Sequence, residues 1–355
     1  MPLKARRLKT PDWWYKREAK GAPVTRYALA PLAWIWEAVT ITRFLTAKPY
    51  RSPVCVISVG NATLGGSGKT PIERELLRRL KKLGHRASGL SRGYGGSLSG
   101  PVRVDPTVHS AAEVGDEALM LARDYDMVIA RDRAEGMRLI EGEGFEIAIA
   151  DDAHQNVKIA KDIHLLVVDG DTTNDGWPFG DGSVFPMGPM REPLAIALKR
   201  ADIGVLWLPD EKSVVDQKLL RLFGDLPVFV ARLIPMPVGE PGKVVAFAGI
   251  AKPWKFRATL EGLGYAVADF HAYADHEPLS EADLSALETQ AQVRDATLIT
   301  TEKDWVKLSP AWREKIAFLP ITARFDDQAG FMRALMARTP FAPEALSVND
   351  KSFIK

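Results

Sequence analysis

The segment Gly65-Gly-Ser-Gly-Lys-Thr70 constrains this chain more than any other. It follows an apolar, β-branched run, Val54–Val59. It precedes Pro71–Leu83, in which Ile72, Leu76, Leu80 and Leu83 fall on one helical face. Pro71 suits a first helical turn and Gly84 suits the stop. A glycine-rich turn between strand and helix lets successive backbone N–H groups curl around a phosphate, and the helix N-terminus adds partial positive charge. In this arrangement Lys69 reaches the β- and γ-phosphates of a nucleotide and the Thr70 hydroxyl binds Mg²⁺. Ser67 and Gly68 complete the cradle. Thr63 stands where the strict pattern has its first glycine, with Gly65 and Gly66 close by to keep the turn pliable. A plain turn with an incidental lysine is the competing reading, and the strand before and helix after argue against it.

The texture downstream alternates. Ala87–Leu90, Met127–Ala130, Phe145–Ala150, Leu165–Val168 and Ile203–Leu208 read as strands; Gly115–Arg123, Arg133–Ile140 and Glu192–Lys199 read as helices between them. This alternation predicts an α/β fold: a P-loop NTPase-type parallel sheet covered on both faces. Asp169–Pro193, rich in Gly, Pro and Asp, reads as a long functional loop. The cluster Pro235–Gly242 marks a domain boundary. A second, smaller α/β C-terminal domain follows, with strands at Val244–Phe247, Ala266–Phe270 and Thr297–Thr300 and helices near Trp254–Leu263 and Glu281–Gln292. The expected division is 1–52 for a basic, aromatic arm and apolar helix, 53–235 for the core, 236–340 for the smaller domain and 341–355 for a tail.

Phe145–Asp152 is a strand ending in paired carboxylates. A strand end of this kind delivers Asp151 and Asp152 to the sheet edge where ligands bind, as candidate Mg²⁺ ligands. The single cysteine, Cys55, excludes an internal disulfide and a cysteine-based zinc site. The net charge of +2 hides an asymmetry: Lys4, Arg6, Arg7, Lys9, Lys16, Arg17, Lys20 and Arg26 face only Asp12 and Glu18 in the first stretch. Tyr27–Leu45 is the most apolar long segment. It approaches a membrane span in length, and three readings stand: a span, an interfacial helix or a core helix. Trp13, Trp14, Tyr15, Trp34 and Trp36 favour the interface, where amphipathic rings settle; the alternative is that they staple the arm onto the first domain. The basic arm lacks the grooves and repeated aromatic platforms of a nucleic-acid binder, so no nucleic-acid partner is expected.

An ordered set of short motifs resembles the lipid A 4′-kinase (tetraacyldisaccharide 4′-kinase) family: Val59–Pro71, Ser91–Gly96, Val114–Glu117, Asp151-Asp152 with Gln155, Pro186–Pro193, Phe247–Ile250, Asp275-His276 and Thr301–Asp304. The set covers most of the chain after Pro53, and the aromatic arm and apolar helix are also similar. The resemblance implies transfer of the ATP γ-phosphate, with Mg²⁺, to the 4′-hydroxyl of a tetraacylated glucosamine disaccharide 1-phosphate. It further implies a peripheral or single-helix-anchored enzyme at the cytoplasmic face of a Gram-negative inner membrane. It implies Asp116 as catalytic aspartate and His276 as its partner. An Asp held by a His can orient a hydroxyl and accept its proton, and domain closure would bring the pair together. Glu117 and Glu192 are candidates for metal or active-site support. Arg92, Arg131, Arg133 and Arg191 are candidates for the substrate 1-phosphate, since a guanidinium meets phosphate bidentately. Thr301–Asp304 reads as a helix cap.

Two departures stand out. The family's Asp-Asp-Gly-x-Gln-His reads Asp151-Asp-Ala-His-Gln-Asn156, so Ala153 replaces glycine, Asn156 replaces histidine, and His154 is one side chain out of place. The alternative class is a regulatory or metallochaperone-type P-loop NTPase. Such proteins carry a signature lysine where this chain has Leu64, and the guanine-reading Asn-Lys-x-Asp is absent. A non-catalytic membrane-bound ATP binder is a third reading. Oligomeric state and acyl-chain preference have no signature in the sequence.

Overall fold

The computed structural model describes residues 10–66, 68–237, 239–250, 252–274 and 279–341. Ser67, His276 and the tail beyond 341 lie outside the described residues. Among the described residues thirteen strands occur in chain order: β1 (Cys55–Gly60), β2 (Ala87–Ser91), β3 (Val102–Arg103), β4 (Asp126–Ile129), β5 (Ile147–Asp151), β6 (Ile163–Asp169), β7 (Ile203–Leu208), β8 (Val228–Pro235), β9 (Lys243–Ala248), β10 (Ala266–Ala272), β11 (Thr297–Thr301), β12 (Ala317–Leu319) and β13 (Ile321–Phe325).

The larger sheet has the order β13-β8-β7-β6-β1-β5-β2-β4-β3. It is parallel except at its edges, where β13 pairs antiparallel with β8 and β3 with β4. Period-two alternation sorts its side chains onto two covered faces. Cys55, Ile57, Val59, Ile147, Ile149, Leu165 and Val167 pack under the helix Lys69–Lys82. Val56, Ala148 and Ala150 face the helix Arg133–Gly142, while Leu166, Val168 and Leu206 face Leu194–Arg200. The expected helix over Pro71–Leu83 is present, two residues longer at its start, and buries Ile72, Leu76, Leu77 and Leu80 completely or nearly so. Each such side chain contributes about 1.5–3 kcal/mol relative to exposure.

The smaller sheet, β10-β9-β11-β12, is wholly parallel and is flanked by the helices Pro253–Gly262 and Glu281–Val293. The expected unit 236–340 is divided by the fold. After β12 the chain returns to the larger sheet as β13, and the helix Gln328–Met336 buries Phe331, Met332, Leu335 and Met336 in the first core. The smaller unit is therefore an insertion between two neighbouring strands. The physical reason is pairing: Ile321 sits directly opposite Pro235, so the ladder of the first sheet resumes where it left off.

The apolar N-terminal segment forms the helix Ala30–Thr46, in which Ala33 alone is buried. Leu32, Trp34, Ile35, Trp36, Val39 and Leu45 are exposed, so the core-helix reading fails. With the preceding 3₁₀ turns the segment Val24–Thr46 is long and apolar enough to cross a membrane.

Candidate active site

The site lies on the C-terminal edge of the larger sheet, where β1, β5 and β2 end level with one another: Val59 is opposite Asp151 and Ala150 is opposite Leu90. The turn after β1 is pinned from several sides. Thr63 pairs with Met190 as an isolated antiparallel bridge, Leu64 N donates to Pro189 O at 2.9 Å, and Arg191 N donates to Ala62 O at 2.8 Å. Extended pairing explains why Thr63 can stand in place of a glycine. Gly65 and Gly68 adopt φ of +96° and +79°. At Gly68 a Cβ would also lie 2.4 Å from the Trp207 ring, so no side chain fits. Lys69 opens the helix with its Nζ 3.5 Å from Asp152 Oδ1 and 3.4 Å from Asn61 Oδ1.

Asp151 ends β5, and Asp152 begins the turn that follows it. Asp152 takes φ +47° and accepts two bonds from Arg191 Nη1, at 2.9 and 2.8 Å. Burial pushes its carboxyl up, but Lys69 and Arg191 outweigh burial and bring it down to about 2. Asp151 goes the other way, to about 6, through burial first and the Glu117 charge second. Its Oδ1 is buried without a hydrogen-bond partner. An anionic oxygen left open beside Thr70's helix suits a hard cation, so Thr70 and Asp151 fit Mg²⁺ by donor chemistry. One turn below Lys69, Glu73 is buried too, and burial raises its carboxyl well above the usual range.

Asp116 and Glu117 begin the helix Asp116–Ala122. Gly115 precedes it at φ +88°, where a Cβ would come 2.6 Å from Tyr94 O, so the Ser91–Gly96 turn seats this helix. Asp116 is buried; Lys307 Nζ approaches its Oδ2 at 3.8 Å, and Lys303 meets Glu117 at 3.2 Å. Both lysines come from the inserted unit. The Thr301–Asp304 segment does cap a helix, Thr301 Oγ1 accepting from Asp304 N at 3.2 Å. It does more: Glu302 accepts two bonds from Arg74, at 2.6 and 2.9 Å, and Asp304 accepts from Gly249 N at 2.8 Å. Lys252 and Lys255 reach Asp169 and Asp171 at 3.3 and 2.5 Å.

Between the units lies a cleft of about 280 Å³. Thr70, Pro71 and Arg74 line one wall, Glu117 and Met120 another, and Lys252, Lys255 and Phe256 the third.

The candidate arginines divide by their partners. Arg133 is buried and donates to the carbonyls of Leu90 and Asp151; Arg131 donates to Gly96 O and Ser97 O at 3.3 Å. Arg191 is engaged by Asp152 and by Thr63 O at 3.0 Å. Arg92 is exposed on the turn after β2. Glu192 is fully buried, its Oε1 accepting from Gln155 at 2.8 Å and Arg200 at 2.6 Å, so it braces Gln155 from below. Gln155 also donates to Asn61 O at 2.8 Å. His154 turns into the core, Nε2 3.1 Å from Ala197 O and its ring edge-on to His164 at 5.5 Å. Ala153 is buried, and Asn156 accepts from Lys158 N at 2.9 Å. Sequence reasoning missed Asn61, Arg74, Lys303 and Lys307 as parts of this site. Asn61, Lys303 and Lys307 lie within or next to motif segments, which was the available signal.

A parallel sheet with a glycine turn around Lys69 at its central strand, and carboxylates at the end of the next strand, defines a P-loop nucleotide-binding protein. Residues 25–340 match the family described as tetraacyldisaccharide-1-P 4′-kinase (LpxK), and the chain belongs to that family. It is 51% identical over 330 residues to the tetraacyldisaccharide 4′-kinase of Caulobacter sp. (strain K31), covering 93% of this chain and 98% of the relative. It is 37% identical over 342 residues to that of Rhodospirillum rubrum, covering 94% and 100%. The crystal structure of LpxK from Aquifex aeolicus in complex with ATP superposes with a TM-score of 0.69 at 25% identity, over 89% of this chain and 99% of that one. The chain is thus a kinase of lipid A biosynthesis, an ATP-dependent phosphotransferase with a tetraacylated disaccharide as acceptor. The switch-type NTPase and the non-catalytic ATP binder are set aside by this membership.

Proposed function

We propose that phosphoryl transfer to the 4′-hydroxyl takes place in the cleft between the larger sheet and the inserted unit, with Lys69 and Asp116 as its central pair. The carrying observation is that Thr70 and Glu117 line one cleft, which the inserted unit closes with Lys303. The N–H groups of residues 65–70 and the Lys69 ammonium hold the β- and γ-phosphates; Asp152 and Asn61 aim that ammonium. Pro71, Met120, Leu233, Ile250 and Phe256 offer an apolar seat to the nucleoside beside the phosphate loop. Thr70 and Asp151 would hold Mg²⁺, with Glu117 and Asp152 alongside. The ion, when bound, neutralises charge on the transferring phosphoryl oxygens.

Asp116 accepts the proton of the attacking hydroxyl as that oxygen bonds to the γ-phosphorus, the bond from γ-phosphorus to the β,γ-bridging oxygen breaks, and ADP leaves. His276, outside the described residues, belongs to the same inserted unit as Lys307 and acts as partner of Asp116. Lys307 brings an ammonium to 3.8 Å from Asp116, a positive neighbour for the proton acceptor. Arg92 is the candidate for the substrate 1-phosphate, because it is exposed whereas Arg131, Arg133 and Arg191 are engaged by the protein. The exposed apolar face of Val24–Thr46 seats the enzyme on the cytoplasmic surface of the inner membrane, beside its lipid substrate.

Mass spectrometry of the acylated disaccharide after incubation with ATP and Mg²⁺ tests the whole scheme. Gain of one phosphate at the 4′-hydroxyl is expected, and loss of that gain in Lys69→Ala. Equal losses from Asp116→Asn, His276→Ala and the double variant support a coupled pair; multiplicative losses refute it.

A further inference from the structure

We propose that Tyr15 is a positioning residue of the ATP site: the N-terminal arm, through this phenol, fixes the start of the phosphate loop. The inference rests on the reading of residues 65–70 as that loop.

In a phosphate-binding turn the N–H groups must face inward, so the carbonyls point away and need partners elsewhere. Leu64 is the last residue before the glycines. Its N–H is held by Pro189 O at 2.9 Å, and its carbonyl accepts the Tyr15 hydroxyl. Both backbone groups of Leu64 are thereby fixed from outside the loop. Gly65, the next residue, has φ +96°, and a Cβ placed there would lie 3.1 Å from the Tyr15 oxygen. The phenol therefore lies against the first turn residue as well. Burial raises its hydroxyl to about 12, so it stays a donor across the working range.

The arm is itself firmly seated. Trp177 N donates to Tyr15 O at 2.8 Å, Lys16 bridges Gly176, and Arg17 pairs with Asp216 at 2.9 Å. Trp14 is buried edge-on against Phe185. Trp36, on the apolar helix, packs on the same Phe185 ring at 4.9 Å and donates to Arg191 O at 2.9 Å. Arm, segment 171–191 and phosphate loop form one continuous layer. A segment whose only task was to attach the membrane helix would have no need of a hydrogen bond to the loop carbonyl.

The test is Tyr15→Phe in the full chain, which keeps the ring and deletes the donor. Initial rates are taken with ATP and acylated disaccharide varied separately, and binding to anionic phospholipid vesicles is measured by co-sedimentation. Loss of one hydrogen bond predicts a three- to tenfold rise in KM for ATP, roughly, with kcat, KM for the lipid and vesicle binding within about twofold of the parent. An unchanged KM for ATP overturns the proposal, as does a shift confined to lipid KM and vesicle binding. Equilibrium ATP binding by Lys69→Ala runs in parallel. If that variant binds ATP as the parent does, the phosphate-loop reading fails and this inference with it; if it loses ATP while Tyr15→Phe is indistinguishable from the parent, only the role of Tyr15 falls.

Discussion

Asp151 and Asp152 are adjacent in sequence yet are driven in opposite directions, to about 6 and about 2. Asp152 turns at φ +47° toward Lys69 and Arg191, whereas Asp151 stays under the sheet edge near Glu117. Asp152→Asn would leave both cations without their anion and let Lys69 swing from the phosphates. We expect kcat to fall by roughly 10²–10³-fold, the scale for losing one preorganised electrostatic group; single-turnover rates check this, and a loss under tenfold would remove Asp152 from the machinery. Away from the site, His164 makes a stability prediction. Burial, Lys161 and Arg200 depress its imidazole to about 3, with His154 edge-on beside it and Asp202 accepting from its backbone N–H at 2.8 Å. Its folded value is below the ordinary 6.5, so the unfolded chain takes the proton first. The neutral ring's contribution is intact above 6.5 and is lost as pH falls from there toward 3, by at most about 1.4 kcal/mol per pH unit. Melting profiles of His164→Gln should show a shallower acid limb than the parent's; parallel limbs would refute it. Legibility at this scale followed locality. The strand–turn–helix around Lys69 and Thr70, and the strand ending at Asp151, were readable because strand, turn and helix signals are contiguous. Tyr15 was not, since its bond to Leu64 spans 49 residues that carry no shared pattern.

Among the elements, the short helix Glu302–Trp305 does the most with the fewest residues. Glu302 is buried against Arg74 from the phosphate-loop helix, and Arg123 stands 3.8 Å off. Removing one partner leaves an uncompensated buried charge, so Arg74→Met and Glu302→Gln should each destabilise by about 3 kcal/mol, and the double variant by much less than the sum. Denaturant titration of the four proteins measures the coupling; additive losses would mean that the pair does not join the two units. The apolar helix Ala30–Thr46 poses the opposite case, an element with almost no protein to pack on. Its sequence left three readings open because length and composition alone do not distinguish a buried stripe from one facing lipid. Exposure of Trp34, Ile35 and Val39 removes the core reading. Replacing Ile35 and Val39 by Glu should lower partition into anionic vesicles by tenfold or more, roughly, at about 25 cal/mol per Å² of lost apolar contact, while leaving rates on detergent-dispersed substrate near the parent's. Unchanged partition would assign membrane seating to another surface.

At the level of the whole molecule, alternation of strand and helix signals was enough to read a parallel P-loop sheet and a second α/β unit. It was not enough to read the insertion. Pro235–Gly242 marks where the chain leaves the larger sheet, but no turn signal marks the return. Ala317–Leu319 and Ile321–Phe325 run together across Pro320, and only hydrogen bonding shows that the first belongs to one sheet and the second to the other. Exit and return are neighbours: Ile321 faces Pro235, and Met236 N donates to Pro320 O at 2.9 Å. Replacing 236–320 with a two-residue Asn-Gly turn should therefore close β8 and β13 into a hairpin without stretching either. The excised core would lose the packing of Val306 and Trp305 on its helices, a cost of several kcal/mol at about 1.5–3 per buried side chain. The loss is partial because Phe331, Met332 and Leu335 stay on the sheet. We expect a single cooperative unfolding transition, ATP affinity weakened by loss of the apolar cleft, and no phosphoryl transfer, since Lys303, Lys307 and His276 are gone. Broad, non-cooperative melting of the excised core would mean that the larger sheet cannot hold itself together and that the insertion is a structural half of one unit, not a closing element added to a complete fold.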